Sequence, residues 1–356
     1  MVRTRLVISL IVGFSLTAGG FSTTTLPQEA KTQVEKQSQQ KDEKQEAEAV
    51  ALESQLVLLD ALVVNKETTR PVGNLKAEDF LLSEDGVMQK ITHFSQDLLP
   101  LSVLLLIDVS GSVRPMMHDI HRAALDALSK LKENDEVALM VFATGAKLVV
   151  GFTQNHALVA EKINEVETIR DVGGATFINN AMAEAAEYMR SATKTTDRRV
   201  IIGISDDIDM SVPFKGRSQS DASNLLYESG IAVCGLIVGG GLHKVMRTYN
   251  KAHPAIFLWR KLTRAGSFKG YADKTGGMVV SSRREEISQV FRDLIEVLRA
   301  RYTIGYSPSN TTHDGKFRKI KLRLAKSAQP KGTEVAVVTR RGYYAKKQTP
   351  SAPPSK

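Results

Sequence analysis

Hydrophobic positions run along this chain in three successive regimes. Residues 56–64 are apolar at nearly every position, through Leu56, Val57, Leu58, Leu59, Ala61, Leu62, Val63 and Val64, and a turn-rich stretch over 66–73 ends the run, which predicts a strand. Residues 80–83 and 89–94 flank Glu84-Asp85-Gly86, and the Asp-Gly pair predicts a hairpin between them. From residue 101 the pattern changes. Residues 103–109 form an unbroken apolar run of the kind buried on both faces of a parallel sheet. Ile120, Ala124, Leu125, Leu128 and Leu131 follow at helical spacing.

The alternation then continues, with strands over 136–142, 147–152, 200–205, 231–238 and 278–281 and helices over 157–166, 177–191, 222–228 and 286–300. Strands alternating with amphipathic helices predict an α/β fold built on a doubly wound, mostly parallel sheet. After residue 301 the chain turns to β character again, over 302–306, 318–324 and 334–340, with an Asp314-Gly315 turn after the first of these. So few strands are not stable alone, so they are expected to join those of 56–94 in one small β unit.

The N-terminus has a different logic. Arg3 and Arg5 precede an apolar stretch over 6–18, and Ala18, Gly19, Gly20 and Ser22 follow, which is the layout of a secretory signal peptide. An uncleaved inner-membrane anchor is the alternative, because the small-residue region lacks an Ala-x-Ala site. Residues 28–48 are almost wholly polar, with Val34 the one sizeable apolar side chain, and read as a solvated tether. The expected division is a signal at 1–22, a tether at 23–50, a β segment at 51–98, the α/β domain at 99–300, a second β segment at 301–345 and a tail at 346–356. Export to the periplasm or beyond follows from the signal.

Composition narrows the function classes. With 42% hydrophobic and 24% charged residues the chain is too polar for a multi-span membrane protein. Its single cysteine, Cys234, lies in an apolar run, so it forms no intramolecular disulfide and reads as a buried thiol. A formal net charge of +9 is compatible with polyanions, but no nucleic-acid motif accompanies it.

Candidate chemistry gathers where strands end. The run 103–109 leads into Asp108-Val109-Ser110-Gly111-Ser112, Thr176 follows Gly173-Gly174-Ala175, and Asp206 ends the strand 200–205. In open α/β sheets, ligand sites lie at this carboxyl edge. Two carboxylates and three hydroxyls form an all-oxygen set that selects Mg²⁺, Mn²⁺ or Ca²⁺ over softer-ligand metals. Taken singly, Ser110, Ser112 and Thr176 also fit helix N-caps. Taken together with the aspartates they fit a metal site.

At these residues the sequence resembles the von Willebrand factor type A family, and more narrowly the related proteins exported by some bacteria. The Asp-x-Ser-x-Ser motif at Asp108, Ser110 and Ser112, with Thr176 and Asp206, carries the resemblance, joined by Arg301-Tyr302-Thr303-Ile304-Gly305-Tyr306 and Gly342-Tyr343-Tyr344. It implies a Rossmann-like fold, a metal-ion-dependent adhesion site (MIDAS), and protein binding rather than catalysis. The position after Asp206, often glycine in that family, is Asp207 here; it either adds a carboxylate near the ion or faces solvent, and the second is expected.

Other motifs fall short. Gly239-Gly240-Gly241 lacks the remainder of a dinucleotide or Walker pattern and reads as a turn, and His118, His121, His243, His253 and His313 show no zinc spacing and read as surface residues. One run is one-sided: from 239 to 270 there are seven Lys and Arg residues and no acid. Lys244, Arg247, Trp259, Arg260 and Lys261 within it are expected to rim the site and favour a protein partner with exposed Asp or Glu. The competing readings are a structural envelope protein whose site has lost its ion, and a Mg²⁺-dependent phosphotransferase using Asp108, which lacks a second aspartate where Ser110 stands.

Overall fold

The computed structural model describes residues 56–68, 70–96, 99–192, 198–210, 216–239, 266–329 and 332–347. All of these belong to one compact unit, Gln55–Lys356. The expected signal and tether lie outside the described residues. The expected tail begins with described residues, because Lys347 bridges to Asp314.

The order of elements follows the hydrophobic pattern. β1 (Val57–Asn65), β2 (Phe80–Glu84), β3 (Val87–Gln89) and β4 (His93–Ser95) precede β5 (Leu101–Asp108) and α1 (Met117–Leu128). Then come β6 (Glu136–Phe142), β7 (Ala146–Thr153), α2 (His156–Ile163), α3 (Ile178–Ala192), β8 (Arg198–Ser205), α4 (Gln219–Ser229) and β9 (Ala232–Ile237). After these, α5 (Phe268–Thr275), β10 (Val279–Ser281) and α6 (Ile287–Arg299) lead to β11 (Tyr302–Tyr306), β12 (Phe317–Leu324), β13 (Val335–Val338) and β14 (Gly342–Tyr344).

The central sheet has six strands in the order β10-β9-β8-β5-β6-β7. Its pairings are parallel except for β7, which runs antiparallel to β6 at one edge. Every residue of β5 is buried, which is why its sequence is apolar without alternation. Val103, Leu105 and Ile107 face a core completed by α1 and α6, while Leu104 and Leu106 face one completed by α3 and α4.

α5 was not expected from the sequence, although Ser267 and Gly276 cap it as helix signals should. Its Phe268 packs against β8 and β9, where a Cβ at Gly203 would come within 1.8 Å of the Phe268 ring and one at Gly235 within 2.8 Å of the Phe268 Cβ. The two strand glycines make room for the helix. Cys234 is buried and free, as its apolar setting predicts. Among the histidines read as surface residues, His118 is exposed, but His121 is half-buried with its ring against the Ile163 carbonyl.

The flanking strands pair with each other across the length of the chain. β1 pairs with β11 and β13, and β2 with β12. They form two four-stranded sheets, β13-β1-β11-β4 and β14-β12-β2-β3, which together make up the expected β unit. The expected hairpin at Asp85-Gly86 forms between β2 and β3, but its second strand ends at Gln89, and the chain crosses to the other sheet, where β4 pairs with β11. Both sheets turn Leu59, Val63, Leu82, Ile304, Ile320 and Leu322 into one shared core.

A buried arginine fastens this β unit to the central sheet. Arg198, at the start of β8, places Nε 3.1 Å from Asp60 Oδ1 on β1 and donates from Nη1 to the Leu298 carbonyl at 3.1 Å. Deleting residues 301–356 removes both strand partners of β1 and the β12 partner of β2, and leaves the apolar faces of both strands uncovered. Such a truncation is expected to aggregate through its unpaired edges, as size-exclusion chromatography would record. A soluble monomer with the parent melting temperature would contradict this pairing.

Candidate metal centre

The register of two parallel strands builds the site. Ile107 of β5 lies level with Ile204 of β8, so Asp108 and Ser205 end the strands side by side and Asp206 follows one residue later. Three loops meet above them. The Gly111 N–H donates to the Gly174 carbonyl at 3.4 Å, tying the Asp-x-Ser-x-Ser loop to the turn before Thr176. The Met210 N–H donates to the Thr176 carbonyl at 2.8 Å, tying that turn to the loop after Asp206. The three sequence motifs are thus stitched together by backbone hydrogen bonds.

Asp108, Ser110, Thr176 and Asp206 are buried, while Ser112 stays exposed at the mouth. The hydroxyls of Ser110 and Ser112 lie 3.3 Å apart. Neither the helical turn starting at Arg114 nor α1 has a side-chain cap, so the serines are not spent as N-caps. The alternative reading for this pair fails on geometry.

Asp108 carries the electrostatics. Its Oδ1 accepts from the Ser110 N–H at 2.9 Å and its Oδ2 from the Ser205 hydroxyl at 2.6 Å. Burial pushes its carboxyl up to about 6; the nearby Asp206 charge adds to the rise, and the hydrogen bonds from Ser205 and Ser110 oppose it. Two carboxylates held near one another in a dry setting call for a cation. Among the described residues, no group of three or more His, Cys, Asp or Glu side chains is placed to hold a metal, so an ion here must be held through hydroxyls as well as carboxylates. The residues present fit a hard divalent ion.

The acidic run after Asp206 has a role that sequence reasoning missed. Asp207 is half-buried with φ 57°, a left-handed conformation that favours glycine and that Asp tolerates better than most residues. Its Oδ1 accepts from the Phe268 N–H at 2.8 Å, so the carboxylate is turned to the start of α5 rather than standing free in solvent. Asp209 is buried, accepts from the Ile178 N–H at 3.4 Å at the start of α3, and also accepts from the Gly266 N–H. The two carboxylates clamp the starts of α3 and α5 to the site loop. The legible signals were a serine closing an apolar strand at Ser205 and acids at alternate positions just after it.

The basic rim at Lys244, Arg247, Trp259, Arg260 and Lys261 lies outside the described residues. At the end of that acid-free run, Lys269 is bonded within its own helix to Asp273 at 2.9 Å.

Comparison with known proteins finds a family match over the same residues. Residues 103–208 match the von Willebrand factor type A domain, a span that contains Asp108, Ser110, Ser112, Thr176 and Asp206. No curated protein matches the sequence. Among solved structures, an aerotolerance-related membrane protein from Bacteroides fragilis is similar at 15% identity and a TM-score of 0.40, covering 56% of this chain and 98% of its own. A von Willebrand factor type A protein from Catenulispora acidiphila is similar at 13% and 0.41, covering 76% and 75%. Proximal thread matrix protein 1 from the mussel byssus, described with a zinc-occupied MIDAS motif, is similar at 13% and 0.41; the match covers 56% of this chain and 48% of the byssus protein. At this distance a likeness says nothing of function.

The buried charge predicts opposite effects of one substitution. With its carboxyl raised to about 6 against an ordinary 3.8, ionised Asp108 costs the metal-free fold roughly 3 kcal/mol at neutral pH. Asp108→Asn is therefore expected to melt higher than the parent when both are stripped of divalent ions, and to lose the stabilisation the parent gains on adding Mg²⁺. Because the native carboxyl binds its proton more tightly than the unfolded one, the penalty is full above about 6 and fades as pH falls toward 3.8. Thermal melts of both proteins across that window, with and without Mg²⁺, check it; an Asn variant that melts lower throughout would contradict it.

Proposed function

From the match of residues 103–208 to the von Willebrand factor type A domain, we propose that this protein is an exported binding module that captures an acidic group of a protein partner through a divalent cation. Asp108, Ser110, Ser112, Thr176 and Asp206 hold the ion, and Mg²⁺ or Mn²⁺ is the expected occupant. The observation that carries the reading is the buried Asp108 beside Asp206, with the Ser110 and Ser112 hydroxyls converging at 3.3 Å. When bound, a hard cation with few direct carboxylates keeps residual positive charge and offers a position to a further oxygen ligand.

The chain's own residues do the rest. Ser205 and the Ser110 N–H fix the Asp108 carboxylate in one orientation, so it is set before any ion arrives. Exposed Ser112 marks the side from which a partner approaches. A phosphotransferase is the weaker reading, because Ser110 stands where that chemistry wants a second aspartate as acid/base partner to Asp108. Export rests on the Arg3, Arg5 and apolar 6–18 pattern, and an acidic partner is favoured by the acid-free run 239–270. No helix among the described residues is long and apolar enough to cross a membrane.

Calorimetry is expected to find one Mg²⁺ or Mn²⁺ per chain, with binding abolished by Asp206→Ala in a protein that keeps its fold. Capture of a protein from an envelope extract should then require the ion and be lost with chelator or with Thr176→Ala. The same protein retained in chelator, or metal affinity unchanged in Asp206→Ala, would overturn the proposal.

A further inference from the structure

A second surface lies on the outer face of the sheet β14-β12-β2-β3 and plays no part in the metal site. β12 alternates without a break: Arg318, Ile320, Leu322 and Leu324 are buried, and Phe317, Lys319, Lys321 and Arg323 are exposed. Same-face residues of a strand repeat about every 6.6 Å, so the three cations form a row about 13 Å long. Across the sheet, Arg323 pairs with Leu81, Lys321 with Ser83, and Ser83 with Met88. Leu81 is 40% exposed and Met88 58%, so large apolar side chains stand next to the cations.

Among the described residues, no ion pair involves the Lys319, Lys321 or Arg323 side chains. The ion pairs near β12 join Lys316 and Arg318 to Asp314, away from the three exposed cations. Asp85, the acid of the adjoining turn, accepts from the Lys319 backbone N–H at 2.8 Å. At its other end the face is closed by packing, with the Phe317 ring 5.0 Å from Tyr227 and 5.2 Å from Tyr344. What remains open is a patch of Lys319, Lys321, Arg323, Leu81 and Met88.

We propose that this patch docks the protein on a membrane surface rich in anionic lipid headgroups. The charge pattern and the apolar side chains have to be explained together. A soluble polyanion would satisfy the cations and leave Leu81 and Met88 against water. A membrane surface offers anionic headgroups and, just beneath them, a boundary that accepts apolar side chains. Each Lys or Arg near such a surface adds attraction, and removing three weakens partitioning about a hundredfold. The chain's net charge of +9 works in the same direction.

The test reads this face alone, so that the N-terminal apolar run cannot mimic it. Met88→Cys in the full chain is labelled with a polarity-sensitive fluorophore, and Cys234, fully buried, does not compete for the label. Leu148→Cys on β7, 41% exposed in the parent, serves as the control position. Phosphatidylcholine vesicles containing phosphatidylglycerol are expected to shift the Met88 probe to shorter wavelength, while pure phosphatidylcholine vesicles leave it unchanged and the Leu148 probe responds to neither. High salt, and Lys319→Glu with Lys321→Glu and Arg323→Glu, should each remove the shift. A silent Met88 probe, a shift indifferent to the charge reversals, or an equal shift with soluble polyphosphate would overturn the proposal, the last in favour of a polyanion.

Discussion

Parallel pairing of β5 with β8 sets Asp108 level with Ser205, whose hydroxyl reaches Asp108 Oδ2 at 2.6 Å. Most of the site depends on this one registration. It brings two strand-end aspartates to one edge, orients the first of them, and leaves the loops that follow close enough for Gly111 and Met210 to bond the turn carrying Thr176. The apolar run of β5 makes the pairing obligatory. A strand buried on both faces has nowhere to go except the middle of a sheet.

That placement has an energetic consequence. Asp108 sits where its charge is disfavoured, and its hydrogen bonds offset the burial only in part, so the carboxyl is pushed up to about 6. A fold optimised for stability alone would not keep such a group beside Asp206. Strain of this kind is common where a ligand supplies the missing charge. The surrounding carboxylates are spent differently: Asp207 and Asp209 bind backbone N–H groups of Phe268, Ile178 and Gly266, so they hold helix starts in place.

The two flanking β sheets are as much a part of the compact unit as the central one. Arg198 reaches from β8 to Asp60, to the Leu298 carbonyl and to the Thr303 hydroxyl, touching β1, α6 and β11 at once. An arginine buried in this way is stable only with its donors answered, and the answers come from segments at both ends of the folded chain. The N-terminal and C-terminal strands therefore depend on each other and on the domain they enclose.

Much of this could be read in one dimension. Unbroken apolar runs gave β5 and β8, helical spacing gave α1 and α6, and the ordered motifs named Asp108, Ser110, Ser112, Thr176 and Asp206, because burial periodicity and motif order are properties of sequence. What the sequence left open was decided by contacts between distant residues. Whether Ser110 and Ser112 cap a helix or face each other depends on where the loop at Gly174 lies. Asp207 was read as solvent-facing because the Phe268 N–H it binds is 61 residues away. α5 went unread because its apolar pattern is weak; what holds it is the bare backbone of Gly203 and Gly235, visible only once the strands are side by side. The split of the flanking strands into two sheets was likewise settled by packing, since an alternating strand specifies which face it buries but not which sheet covers it.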